Sequence, residues 1–90
     1  MKKLVKVEEI EGEGFTALLG ENIIVFSLNY IYTGKLVGVN ETCILLDDAA
    51  IVYETGAFSE KKFKDAQKLG HSLYLQVSTI ESFGTTIKLV

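Results

Sequence analysis

The chain has 90 residues, 48% of them hydrophobic, and a formal net charge of −3. This length fits one domain, and the hydrophobic share excludes a disordered chain. The acidic balance excludes a protein that coats nucleic acid non-specifically, and its nine basic residues are all lysine, which removes the bidentate guanidinium clamp for phosphate or guanine.

No apolar run approaches the roughly 18 residues that span a bilayer. The start, MKKLVKVEEIEGEG, is rich in lysine but has no apolar core of signal-peptide type. Cys43 is the single cysteine, so no internal disulfide forms and a reducing compartment fits. The expectation is a cytoplasmic protein without a membrane span. Residues 1–90 are read as one domain, with 1–14 as an N-terminal arm or edge strand. Leu4 to Ile10 carries that strand character and Glu11-Gly12-Glu13-Gly14 breaks it.

Phe15 to Leu19 is apolar and reads as one helical turn or a short strand before Gly20. From Ile23 to Val39 the pattern has period two. Ile24, Phe26, Leu28, Tyr30 and Tyr32 form the apolar set, and Ser27, Asn29 and Thr33 lie opposite. Asn29 suits a tight turn, which makes the stretch a hairpin. Gly34 and Gly38 fall inside the second strand, where isolated glycines mark sharp bends or close backbone approach. Asn40-Glu41-Thr42 is a turn, Cys43 to Leu46 a strand, and Asp47-Asp48 interrupts it before Ala49 to Tyr53.

Ser59 to about Leu69 predicts a helix. Ser59 is a suitable N-cap, Phe58 and Phe63 sit at the staple positions, and Gly70 stands where a C-terminal cap belongs. Leu73, Leu75 and Val77 then alternate with Tyr74, Gln76 and Ser78. Glu81-Ser82-Phe83-Gly84 leads to a last strand over Ile87 to Val90. Five or six short strands with one late helix predict a mainly β, strongly bent small barrel.

Several stretches together resemble the first motif of the Sm/LSm family. They are Leu18-Leu19-Gly20, Ile24 to Leu28, Gly34-Lys35-Leu36, Gly38-Val39-Asn40 and Leu46-Asp47-Asp48-Ala49. Val77-Ser78-Thr79-Ile80 is similar to the second motif in its bacterial, Hfq-type form. The resemblance implies a five-stranded, strongly bent antiparallel sheet, here with the helix at about 59–69 inserted. It also implies a closed homo-oligomeric ring of five to seven copies, which binds single-stranded RNA or DNA around the pore. The turn after the second strand differs from the family pattern: Asn40 replaces an aspartate, Thr42 falls near the position of the stacking aromatic or histidine, and Cys43 near the asparagine. The second motif lacks its arginine-glycine pair.

The candidate nucleic-acid-binding residues are Lys35, Asn40, Thr42, Cys43, Ser78 and Thr79, with Lys61, Lys62 and Lys64 as a phosphate-facing lysine cluster beside Lys68. Tyr30, Tyr32 and Tyr74 are candidate stacking platforms, although Tyr30 and Tyr32 share an apolar stripe that favours core packing. Neighbours on a strand point to opposite faces, so Asp47 and Asp48 are read as strand-ending or turn-bonding residues rather than a catalytic pair. Cys43 and His71 are lone members of their types, too few for a nucleophile-base pair with an orienting group or for a zinc site. No enzyme activity, metal or cofactor is expected. Two functions follow: a ring that binds single-stranded nucleic acid, or a structural adaptor ring whose edges and helix bind a protein partner. The missing arginine and the altered turn favour the second more than they would in a typical family member.

Overall fold

A computed structural model describes residues 14–90. The arm or edge strand expected over residues 1–14 lies, apart from Gly14, outside the described residues. A 3-10 turn over Gly14–Leu18 opens the fold. Six strands follow: β1 Asn22–Ser27, β2 Ile31–Val39, β3 Cys43–Glu54, β4 Asp65–Lys68, β5 Leu73–Gln76 and β6 Ile80–Thr85, with a second 3-10 turn at Val77–Thr79. They form one antiparallel sheet in the order β4-β3-β2-β1-β6, with β5 paired to the first half of β3.

The expected hairpin is β1–β2, closed by the Ser27 amide donating to the Tyr30 carbonyl at 3.0 Å. Period two reads its faces only in part. Ile23, Ile24 and Val25 are all buried, while Leu28 and Tyr30 are exposed because they sit in or beside the turn. Ile23 and Val25 join Leu36, Ile44, Leu46, Ala49 and Leu75 in the main core. Ile24 faces a second cluster with Val52 and Phe63. Each fully buried Ile or Leu contributes about 1.5–3 kcal/mol.

Register shifts interrupt the ladders at four places, and the two between β2 and β3 each lie beside a glycine. Thr33 pairs with Ala50 and Lys35 with Asp47, so Gly34 alone faces Asp48 and Ala49. The extra residue on β3 is Asp48, held at φ +50°, a conformation that Asp tolerates better than most residues. On the other side, Leu36 pairs with Leu46 and Gly38 with Leu45, leaving Val37 as the extra residue on β2. Bulges bend and twist a strand. Here the bend at Asp47-Asp48 divides β3 into a first half that takes β5 and a second half that takes β4. The two aspartates therefore mark a corner. Asp47 Oδ1 accepts from Ser72 Oγ at 3.2 Å, and Asp48 pairs with Lys68 at 3.3 Å.

The helix expected over Ser59 to Leu69 does not form. The chain makes a turn, with the Glu60 amide donating to Ala57 O at 3.0 Å, then one parallel bridge between Lys62 and Leu89, then β4. An eleven-residue helix is marginal by itself. The second half of β3 offers ladder bonds along Ala50 to Glu54, which residues 65–68 satisfy, and the hollow around Ile24 and Val52 takes Phe63. Tertiary pairing overrides the caps. Gly70 does adopt a left-handed conformation, at φ +80°, but in the link between β4 and β5. The last strand is also shifted: residues 80–85 form β6, and Ile87–Val90 contribute only the bridge at Leu89.

Burial, with Tyr30 close by, raises the Tyr32 phenol above its ordinary 10.0. The folded state thus favours neutral Tyr32. Its contribution to stability is complete below pH 10 and falls as pH rises through the raised folded value. Absorbance titration should show one of the four tyrosines ionising last, with Tyr32→Phe removing that late step.

Candidate nucleic-acid interface

The β2–β3 turn is built on Asn40. Its Oδ1 accepts from the Thr42 amide at 2.8 Å, the Cys43 amide at 2.9 Å and Thr42 Oγ1 at 3.1 Å, with Cys43 Sγ at 3.6 Å. The Asn40 amide donates to Cys43 O at 3.0 Å. The Asn40 carbonyl oxygen is thus committed to its own turn, an Asx arrangement that a short polar side chain favours.

The β5–β6 turn lies against it, because the Val77 amide donates to Thr42 O at 2.9 Å. Between the turns is an open groove of about 710 Å³, lined by Glu41, Thr42, Cys43, Tyr74, Gln76, Val77 and Ser78. The cross-strand pairs Cys43–Gln76 and Leu45–Tyr74 place Tyr74 and Gln76 on the face opposite buried Ile44 and Leu75.

Three predicted residues, Thr42, Cys43 and Ser78, therefore meet at one groove, with Asn40 as its organiser. Thr79 belongs to the framework: its Oγ1 donates to Gln76 O at 2.8 Å, and its carbonyl accepts from Ser27 Oγ at 2.9 Å and the Leu28 amide at 3.0 Å. Lys35 is exposed within β2, paired with Asp47 rather than with either turn. Lys61, Lys62 and Lys64 are exposed on the β3–β4 connection, where Lys64 reaches Glu54 at 3.2 Å. Cys43 opens β3 and Glu54 ends it, so the strand's whole length separates these lysines from the groove. His71 lies in the β4–β5 link, with Nδ1 2.7 Å from Ser72 O. Among the described residues no group of three or more His, Cys, Asp or Glu is placed to hold a metal.

Glu41 and Gln76 were not among the residues predicted to bind. The signal for Gln76 was present, since it alternates with Leu73, Leu75 and Val77 and so shares a face with Tyr74. Glu41 carried no signal beyond its place in a turn.

The backbone of the chain superposes on two solved structures. A heptameric archaeal Sm protein superposes with a TM-score of 0.64 at 12% identity, over 80% of this chain and 94% of that one. The P. aerophilum SmAP1 heptamer gives 0.63 at 12% identity, over 80% of this chain and 86% of that one. The chain has the Sm fold. No protein-family model and no curated protein sequence matches it. Of the stretches that resemble the first motif, Leu18-Leu19-Gly20 precedes β1 and those from Ile24 to Ala49 fall on β1 to β3 and their turns, while Val77-Ser78-Thr79-Ile80, which resembles the second, forms the Val77–Thr79 turn and the first residue of β6. No helix among the described residues is long and apolar enough to cross a membrane.

Proposed function

We propose that the chain joins edge to edge into a closed ring of five to seven copies and binds single-stranded RNA or DNA, without catalysis, through the groove between its two turns. The observation that carries this reading is that β5 and β6 each leave one border of the curled sheet free. The Val77 amide points to Thr42, so antiparallel alternation turns the amides of Tyr74 and Gln76 outward from β5. The Thr86 amide points to Asn22, so Phe83 and Thr85 turn theirs outward from β6. Among the described residues neither border pairs with another strand on that side. An unprotected border is a template for another strand, and head-to-tail pairing that closes gives a ring. Both similar solved structures are heptamers. Cytoplasmic residence accords with the single free cysteine.

Thr85→Pro removes one outward donor while leaving the β1 ladder its bonds. Light scattering should give five to seven times the 9.9 kDa chain mass for the parent and a clear loss of the ring for Thr85→Pro. Fluorescence anisotropy with labelled mixed-sequence oligonucleotides should show binding by the ring and about a hundredfold weaker binding by the variant, because linked copies multiply weak contacts. A ring that leaves every oligonucleotide unbound would replace this reading with that of a protein-binding adaptor. The adaptor reading has its own support in the exposure of Phe58, Ile87 and Leu89 at 65%, 77% and 57%.

A further inference from the structure

We propose that the groove selects nucleobases carrying an exocyclic amino group and rejects uracil, with Tyr74 as the stacking platform and Glu41 as the discriminating residue. This rests on the nucleic-acid reading above and adds a base preference to it.

The hydrogen-bonding character of the lining carries the inference. Thr42 Oγ1 donates to Asn40 Oδ1, and Cys43 Sγ is directed at the same oxygen. Both protons on this side are committed within the turn, so Thr42 offers a ligand only lone pairs. Glu41 adds a carboxylate, which accepts and cannot donate. The turn side of the groove is therefore rich in acceptors, and no lysine lines it. The ligand edge that meets this side must bring donors. Adenine N6, cytosine N4 and guanine N1 with N2 are donors. Uracil offers a single N–H between two carbonyl oxygens, and those oxygens would face the carboxylate.

Opposite the turn, Tyr74 is 70% exposed and shares its face with Gln76. A base lying flat on the ring would turn its edge toward Gln76 or Glu41. The Gln76 amide both donates and accepts, and can pair with adenine through N6 and N7. Stacking tolerates every base, so Tyr74 supplies grip and Glu41 supplies choice. Ring closure does not compete for this surface. Copies would meet through the outward amides of β5, in the plane of the sheet, whereas Tyr74 stands roughly perpendicular to it.

The test is anisotropy titration of the assembled protein with labelled oligo-A, oligo-C and oligo-U of one length. Oligo-A and oligo-C should bind about tenfold more tightly than oligo-U, the order expected for one well-placed base contact. Glu41→Gln should close most of that gap, chiefly by strengthening oligo-U. Tyr74→Ala should weaken all three by about tenfold or more, while Tyr74→Phe retains them; circular dichroism and light scattering confirm fold and assembly in each variant. Equal or tighter binding of oligo-U, or a ratio unmoved by Glu41→Gln, overturns the base preference and leaves the nucleic-acid reading intact. Failure of all three to bind the intact ring removes that reading and the preference with it.

Discussion

Gly34→Ala will destabilise the fold by about 2 kcal/mol, whereas Gly38→Ala will change stability by no more than about 0.5 kcal/mol. Neither glycine needs its conformational freedom, since neither has a positive φ. The difference is the space above each. A Cβ on Gly34 would lie 2.9 Å from Asp47 O, 3.1 Å from Leu46 Cβ and 3.3 Å from Ala49 Cα. The first and third are backbone atoms at the corner of β3, and they cannot retreat without opening the bulge. At Gly38 the nearest atoms are Leu45 Cβ at 3.3 Å and Leu45 Cδ2 at 3.9 Å, so the relief needed is a few tenths of an ångström. Alanine also restricts the unfolded chain at both sites, a gain of about 0.4–1 kcal/mol. That gain offsets the mild contact at Gly38 and falls short of the severe one at Gly34. Urea denaturation at one fixed protein concentration measures both. Equal losses at the two sites would mean that the close approach at Asp47 is not what holds the bend.

The legible part of this fold was the part written in local chemistry. Gly34 and Gly38 announced sharp bends or close backbone approach; the two β2–β3 bulges lie beside them, and the backbone comes close at Gly34. The Ser27-to-Tyr30 turn was readable because Asn29 suits a tight turn, and the Asn40 turn because its short polar side chain bonds its own backbone. Asp47-Asp48 was readable as an interruption, although its geometry, a left-handed Asp48 opposite Gly34, depends on a partner strand. The failures all involve partners distant in the chain. Ser59, Phe58, Phe63 and Gly70 satisfy every local rule for a helix, yet the unpaired second half of β3 and the hollow beside Val52 claim residues 63–68 instead. The candidate site divides along the same line. Thr42, Cys43 and Ser78 came together because they occupy the two turns next to one strand pair. The lysines were grouped by sequence proximity, and the turn and bridge that replaced the helix leave them at the far end of β3. Lys88 was not singled out, because nothing near it in sequence indicates burial.

Lys88→Met will lower stability by about 1–2 kcal/mol, and Lys88→Ala by about 2–4 kcal/mol. Lys88 is only 5% exposed. Its ammonium donates to Ala57 O at 2.7 Å and Glu60 O at 2.8 Å, and lies 5.8 Å and 5.5 Å from the ring centres of Phe58 and Phe63. Charge-assisted bonds of this kind are worth about 1.5–3 kcal/mol each before the cost of removing the ammonium from water, and the two rings add about 0.5–2 kcal/mol. Methionine keeps the apolar stem and removes the charge. The carbonyls it abandons belong to exposed residues that water can reach, which holds the loss to the lower range. Alanine removes the stem as well. For a domain of this size each kcal/mol lowers the melting temperature by about 4–8 °C. A generic core defect would give the same thermal result, so hydrogen exchange is the sharper measurement. The Leu89 amide donates to Lys61 O at 2.8 Å and the Phe63 amide to Leu89 O at 3.0 Å, and both bonds flank the Ala57 and Glu60 carbonyls that the ammonium holds. Exchange at these two amides should accelerate in Lys88→Met well before the amides of β1 and β2 respond. Uniform acceleration across the sheet would show that Lys88 serves the core as a whole and does not fasten the residues after β6 to the β3–β4 connection.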